Sequence, residues 1–552
     1  MADESSPESA RPQPTGAQPA ASVALARRGV SRRRLLGAGV AGLAVGAGGT
    51  ALATTHTGAG ATAGGGGALW PAADLVAKPG VTGAPVVAGL HLQFGADTAR
   101  EVVVTWHTDG SVTRPRVRYG TAAGGFGASV DAETRAYTDG KSGREVQVHH
   151  ARITGLRPDT DYVYAAGHDG AQPETGTIRT APSGRAAFRF TSFGDQGTPT
   201  VGKLDGTGAY VNDNLGSPFA GDVTAAVERM SPLLNLVNGD LCYANLADDR
   251  IRTWNDYWVN NSRSARFRPW MPAPGNHENE KGNGQIGYAA FQTYFTVPDS
   301  GAESLARGLW YSFTVGAVRF IALADDDICI QDGGDSYVRG YSGGAQKRWL
   351  EGELAKARGD KSVDWVIVFM HQTAISSAKG NGADLGIRQE WLPLFDRYQV
   401  DLVLAGHEHH YERSHPVRGT LPTDVLTPDP VSTRDDVVDT SKGTVHMVIG
   451  GGGTSAPSNK LFFPGAQCRV LTAVGAPDPA NRGRKTQTYV MEQAVWSAFK
   501  DPANAYGFCS FDVDPGSPGG HTTIKGSYHA VVGAGTKVVD SFTLTRPRSD
   551  RE

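Results

Sequence analysis

His407 and His409 stand two residues apart in the run Gly406-His407-Glu408-His409-His410-Tyr411-Glu412-Arg413. Imidazole is the commonest metal ligand among side chains. On an extended turn, residues i and i+2 point to one side. The pair therefore reads as two ligands of a metal site, the alternative being a histidine-rich surface loop. Four more stretches put a ligand-capable residue after an apolar run. Residues 188–193 lead to Asp195, 233–237 to Asp240 and Tyr243, 270–274 to Asn276, His277 and Glu278, and 363–370 to His371. Each is a weak signal alone, since a Gly-Asp after a strand is usually a turn or a helix cap. Five in a fixed order are a constellation.

Such residues must be held at the ends of buried strands, where open sheets carry their chemistry. The run 400–405 before the two histidines reads as one such strand. Gly194, Gly239, Gly275 and Gly406 directly precede Asp195, Asp240, Asn276 and His407. Glycine there lets the backbone turn sharply and approach an ion closely. Residues 345–357 read as a helix with Trp349, Leu350 and Leu354 inward and Lys347, Arg348, Glu351 and Glu353 in solvent. A helix feeding a ligand-tipped strand is βαβ-like construction, so an α/β domain is expected from about residue 187.

The order Asp195, Gly239-Asp240, Gly275-Asn276-His277-Glu278, His371, Gly406-His407-Glu408-His409 resembles the calcineurin-like metallophosphoesterase superfamily over residues 187–415. The superfamily's opening Asp-x-His is here Asp195-Gln196-Gly197, so that histidine is absent. Tyr243 instead stands three residues beyond Asp240, and the last motif continues into Tyr411-Glu412-Arg413. Those features resemble the purple acid phosphatases. The late run Ala505-Tyr506-Gly507-Phe508, with strand-like 522–528 and 538–544, is similar to the family's C-terminal part.

The resemblance implies a four-layer α/β/β/α sandwich over 187–545 and a pair of adjacent ions. Two close ions need a bridging anion, and Asp240 fills that place. Asp195, Tyr243 and His409 would complete a first site, whose phenolate and carboxylate donors suit Fe(III). Asn276, His371 and His407 would complete a second with Asp240, suited to Zn, Fe(II) or Mn. The implied reaction is hydrolysis of phosphate monoesters, with the ions binding phosphate oxygens and activating a water. His277 is implied to touch phosphate or to protonate the leaving oxygen. Glu278 and Glu412 are expected to orient ligands from behind, with Arg413 as their structural partner. Plant members carry further histidines soon after the ligand on the fourth strand. Residues 371–379 here, His-Gln-Thr-Ala-Ile-Ser-Ser-Ala-Lys, hold none after His371, which leaves the general acid open. Asp325-Asp326-Asp327 reads as a ligand-supporting loop rather than a third ion site. Gly450–Gly453 lacks the Lys-Ser/Thr of a phosphate-binding loop and reads as a tight turn.

Ahead of this domain, short strands at 89–94, 101–107, 114–119, 145–153 and 162–168 separated by Gly, Pro and Asp point to an all-β sandwich over 81–184. The run Leu156-Arg157-Pro158-Asp159-Thr160-Asp161-Tyr162 resembles the tyrosine corner of fibronectin type III domains. His149-His150 fits an alternating strand better than a metal site. Further forward, Ser31-Arg32-Arg33-Arg34-Leu35-Leu36, a weakly apolar stretch and Ala51-Leu52-Ala53 resemble a cleavable twin-arginine export signal over 1–53. Residues 54–80 are Gly/Ala/Thr-rich and read as a linker. A secreted or cell-surface location follows as an expectation, with no membrane span left after cleavage.

The 552 residues exceed one ordinary core; the 39% hydrophobic and 20% charged content is that of a globular protein. With net charge −3 and no long basic run beyond the N-terminal region, nucleic acid is not an indicated partner, and small phosphorylated molecules are. Cys242, Cys329, Cys468 and Cys509 allow up to two disulfides with three pairings. Residues 416–443 and 454–500, rich in Pro, Asp, Gly and Thr, are expected as insertions near the site mouth. Two rival readings stand: a phosphodiesterase on the same scaffold, and a non-catalytic surface binding protein that keeps metal for structure.

Overall fold

A computed structural model describes residues 83–199, 203–204, 207, 210–211, 216–331, 339–478, 480 and 484–551. The expected export signal (1–53) and linker (54–80) lie outside the described residues. The first part is two four-stranded antiparallel sheets. One orders Ala88–Phe94, Val102–Thr108, Glu145–Ile153 and Glu133–Thr138; the other orders Ala128–Asp131, Arg116–Thr121, Asp161–Gly167 and Glu174–Arg179. Glu174–Arg179 alternates between buried and exposed, as an outer strand with one wet face should. Val102–Thr108 is buried throughout, because the second part of the chain covers the sheet's outer face. There His91 stacks on Trp258 with ring centroids 3.7 Å apart. The corner is formed as expected: the Arg157 backbone N–H donates to the Tyr162 hydroxyl oxygen at 2.9 Å.

The second part is built on two seven-stranded mixed sheets. The first runs Trp270–Ala273, Leu234–Asn238, Phe188–Phe193, Gly507–Asp514, His521–Val532, Gly535–Pro547 and Val437–Asp439. The second runs Tyr311–Val315, Val318–Ala322, Trp365–Phe369, Leu402–Ala405, Val445–Ile449, Tyr411–Ser414 and Ser497–Lys500. The second has a parallel centre of near-continuous apolar strands, whereas in the first the three strands at the Trp270–Ala273 edge run parallel and the centre is antiparallel. The sheets face each other across one aromatic core. Phe190 meets Phe320 edge-on at 5.1 Å, and Tyr411 lies flat on Tyr528 at 3.9 Å. Helix Ala345–Gly359 covers the second sheet with Leu350, Leu354 and Ala357, next to Trp391 and Phe395. Helices Pro218–Arg229 and Arg250–Ala265 lie on the side of the first, the latter capped by Asp249, whose side chain accepts the Arg252 N–H at 2.9 Å. The layers are α/β/β/α, preceded by the all-β part. No helix among the described residues is long and apolar enough to cross a membrane.

Several expectations change. All four cysteines are buried free thiols, so neither disulfide forms. Residues 416–443 lie away from the mouth. Tyr411–Ser414 runs antiparallel to Val445–Ile449, so the chain leaves the ligand end and emerges at the opposite edge. There Thr440 donates to Asp401, which precedes the Leu402–Ala405 strand, at 2.6 Å. Residues 454–463 do reach the ligands. The next stretch builds a long hairpin, Gln467–Asp478 with Arg484–Gln493. His149 and His150 are strand residues satisfied by Thr108, Thr134, Thr105 and Thr296.

Candidate metal centre

The parallel strands of both sheets end at one rim, and the seven donor residues named from sequence meet there. Asp195, Asp240, Tyr243 and Asn276 come from the first sheet, His371, His407 and His409 from the second. Four of them stand in the left-handed backbone region: Asp195 at φ 57°, Asp240 at 50°, Tyr243 at 58° and His407 at 70°. Non-glycine residues avoid that region at a cost of about 1–3 kcal/mol each, and proteins keep such strain mainly at functional sites. Gly239 shows why the turn before Asp240 needs glycine. Its φ is 74°, and a Cβ would come 2.6 Å from the His371 ring.

Two donor clusters share one neighbourhood. Oδ2 of Asp240 lies 3.1 Å from Nε2 of His371, which lies 2.9 Å from Oδ1 of Asn276 and 3.1 Å from Nδ1 of His407. Nδ1 of His371 is 2.9 Å from the Asn238 carbonyl oxygen, so that nitrogen carries the proton and Nε2 is a bare lone pair in the neutral ring. A lone pair, an amide oxygen and a carboxylate oxygen that face each other in a buried space call for a cation. Burial opposes charge on His371, yet the Asp240 carboxylate holds its pKa well above the ordinary histidine value: a proton is drawn to where an ion would sit. Asp240, His371 and His407 each offer a donor atom within 4.8 Å of the others.

Around Tyr243 the pattern repeats. Its hydroxyl is 3.4 Å from Oδ1 of Asp195 and 3.2 Å from Nε2 of His409. Nδ1 of His409 is committed to the Ala456 carbonyl at 2.6 Å, which again leaves Nε2 bare. Burial, with Asp195 and Asp240 alongside, pushes the Tyr243 hydroxyl well above the ordinary phenol value. A cation alongside would be needed to make it a phenolate. The residues present fit a pair of ions that share Asp240.

Residues 87–180 match the family model of the purple acid phosphatase N-terminal domain, and residues 202–411 that of calcineurin-like phosphoesterases. An uncharacterized protein of Mycobacterium tuberculosis is 63% identical over 527 residues, 94% of this chain and 97% of that one. Purple acid phosphatase 21 of Arabidopsis thaliana is 30% identical over 322 residues, 57% of this chain and 64% of its own. A phosphoenolpyruvate phosphatase of Allium cepa is 28% identical over 335 residues, 59% of this chain and 62% of that one. A purple acid phosphatase from yellow lupin (Lupinus luteus) seeds shares the fold at TM-score 0.61 and 23% identity, over 85% of this chain and 76% of that one. The chain belongs to the purple acid phosphatase type of calcineurin-like phosphoesterases. It is thus a metal-dependent phosphoester hydrolase.

Around this phosphoesterase centre, supporting residues come from far along the chain. Glu278 accepts the backbone N–H of Asp240, Leu241 and Gly275 at 2.9, 2.8 and 2.7 Å, which shapes the Asp240 turn. His277 lies on the rim with its side chain 22% exposed. Its Nδ1 is 2.9 Å from Oδ1 of Asn245, and its Nε2 is 3.9 Å from Oδ2 of Asp240. Asn245 was not legible in the sequence, since nothing local marks an asparagine in a short 3-10 turn. Gln196, beside the missing superfamily histidine, is buried and ties the Asp195 loop to Asn261 and Thr224.

Two expected roles are corrected. Glu412 accepts Ser377 N–H at 2.9 Å and bonds the Ser377 hydroxyl, so it holds the loop after His371 rather than a ligand. Arg413 pairs with neither glutamate. It clamps Asp540 at 2.7 and 3.1 Å, because consecutive residues of a strand point to opposite faces. Asp325 and Asp326 bond the backbone and side chain of Gln372, next to His371, as a supporting loop. The Gly450–Gly453 turn packs on the Asp195 loop: Gly452 N–H donates to the Gly194 carbonyl at 2.9 Å, and a Cβ at Gly450 would come 2.7 Å from Oδ2 of Asp195.

Proposed function

We propose that this protein is an exported binuclear-metal phosphatase acting on phosphate monoesters, with Fe(III) beside Tyr243 and Zn, Fe(II) or Mn beside Asn276. The observation that carries the reading is the pair of buried clusters whose facing atoms are all electron-pair donors, joined through Asp240. When bound, the ions would supply Lewis acidity toward phosphoryl oxygens and an activated water. Asp240 would be shared by both ions, Tyr243 would supply an anionic oxygen suited to a trivalent ion, and Asn276 would keep the second position less negative. His277 projects Nε2 from the rim, where Asn245 Oδ1 accepts from the opposite ring nitrogen, so Nε2 is the atom that faces substrate and it donates to phosphate or the leaving oxygen only as the imidazolium. Burial lowers its pKa below the ordinary histidine value, opposed by Asp240. Monoester preference is supported by the phosphatase names of the plant relatives. Export is supported by the arginine-rich run and Ala51-Leu52-Ala53.

Metal analysis, a visible spectrum and parallel assays on a monoester and a diester test the reading together. The expected result is two ions per chain, a visible band and faster phosphate release from the monoester. A protein that binds fewer than two ions, or releases no phosphate when loaded, overturns it. N-terminal sequencing of protein recovered outside the cytoplasm tests export, with a start just after Ala53 expected.

A further inference from the structure

We propose that Gln331 and Asn381 form a positioning clamp on His407 that fixes which ring nitrogen faces the second metal position. This rests on the two-metal reading above and assigns a role that no ligand motif contains. Gln331 Oε1 lies 2.8 Å from Nε2 of His407. Gln331 Nε2 donates to Asn381 Oδ1 at 3.2 Å, and Asn381 Nδ2 donates to the His407 carbonyl at 3.2 Å. The relay closes on the residue where it began, and its direction is forced. A carbonyl oxygen only accepts, so Asn381 must present its NH2 there and its oxygen to Gln331. Gln331 must then present its NH2 to Asn381 and its oxygen to the imidazole. The imidazole must meet that oxygen with N–H, so Nε2 carries the proton and Nδ1 is bare. Nδ1 is the atom 3.1 Å from Nε2 of His371, inside the donor cluster. Flipping either amide sets oxygen against oxygen.

The clamp is anchored at both ends. The buried Asp384 carboxylate accepts the backbone N–H of Ile330 and Gln331, each at 2.9 Å. Glu408, next to His407, accepts the Gly382 N–H at 2.6 Å. A ligating histidine held through its other nitrogen gives up less rotational freedom on binding, and such partners are worth about 10–100-fold in metal affinity.

The test compares wild type with Gln331→Met, which keeps the length and loses both the acceptor and the N–H, and Gln331→Glu, which keeps the acceptor that holds the His407 ring and loses only the N–H toward Asn381. Competition with a chelating zinc indicator, on protein already loaded with iron, reads affinity at the second position. Nitrogen NMR of the histidine rings in metal-free protein reads the His407 tautomer without any ion. Thermal melting of the metal-free protein reads a purely structural role. Expected are an Nε2–H tautomer in wild type, a 10–100-fold weaker zinc affinity in Gln331→Met with unchanged metal-free melting, and affinity close to wild type in Gln331→Glu. An Nδ1–H tautomer in wild type, or zinc affinity within twofold in Gln331→Met, overturns the clamp. So does a matching loss in both variants together with lower metal-free melting. A wild type that takes up no second ion overturns the two-metal reading instead, while the tautomer measurement still decides the clamp.

Discussion

Among single residues, Tyr243 carries the sharpest consequence. Its hydroxyl shares a buried corner with Asp195 and His409. With Fe(III) there, a phenolate-to-iron band colours the protein, and Tyr243→Phe is expected to remove that band while the fold stays intact; absorption between 400 and 700 nm checks it, on the order of the whole band being lost. His277→Ala is expected to lower turnover about 10²–10⁴-fold with metal content unchanged, since the ring is on the rim and is not one of the donor atoms. Loss of metal with the activity would mark it as structural instead. The donors were legible because each sits in a short local run, a glycine and a polar residue after an apolar strand. Asn245, Gln331 and Asn381 were not, because their partners lie 32, 76 and 26 residues away. The true partner of Arg413, Asp540, is 127 residues distant.

The elements explain why the donors tolerate such close quarters. Strand ends supply direction, and the turns after them supply curvature through left-handed residues. Gly239→Ala places a methyl group into the His371 ring and holds a φ that alanine avoids. The second position is expected to bind its ion at least tenfold more weakly, measured by metal content after dialysis, with the Tyr243 side less affected. The strands and the Ala345–Gly359 helix were readable from apolar runs and helical periodicity. The fate of residues 416–443 was not, because it depends on a single strand, Tyr411–Ser414, running against its neighbour, and hydrophobic pattern is blind to strand direction. Short strands such as Ala128–Asp131, exposed along most of their length, also carry little apolar signal.

Across the whole molecule, polar and aromatic side chains fasten the all-β part to the phosphoesterase part. His107 reaches Asn255 at 3.1 Å, and His150 reaches Thr296 and the Thr293 carbonyl at 2.9 Å. Burial lowers the pKa of both rings, His150 well below the ordinary value. The unfolded chain therefore takes up these protons as pH falls through about 6.5, while the folded chain does not, and stability is lost on the acid side. His150→Gln removes that term. Its stability deficit relative to wild type is expected to shrink between pH 7 and 5, by up to about 1.4 kcal/mol per pH unit, in urea unfolding at each pH. A deficit that is constant with pH would show that His150 takes up its proton in the fold as readily as in the unfolded chain. The sequence changes its pattern near residues 182–184, which is what suggests two parts. That the first would be buried on both faces of one sheet was not visible there, since it depends on a neighbour further along the chain.

The donors divide between the two sheets in a way that matters for more than chemistry. Tyr243 and Asp195 face His409 across the seam, and Asn276 and Asp240 face His371 and His407. Each ion would thus be a rivet driven through both halves of the sandwich at its open lip. Emptying either position leaves bare donor atoms facing one another there, and the lip is then held by hydrogen bonds such as His371 to the Asn238 carbonyl and the His407 N–H to Asp195, so a stripped enzyme would loosen first at the very place where it works.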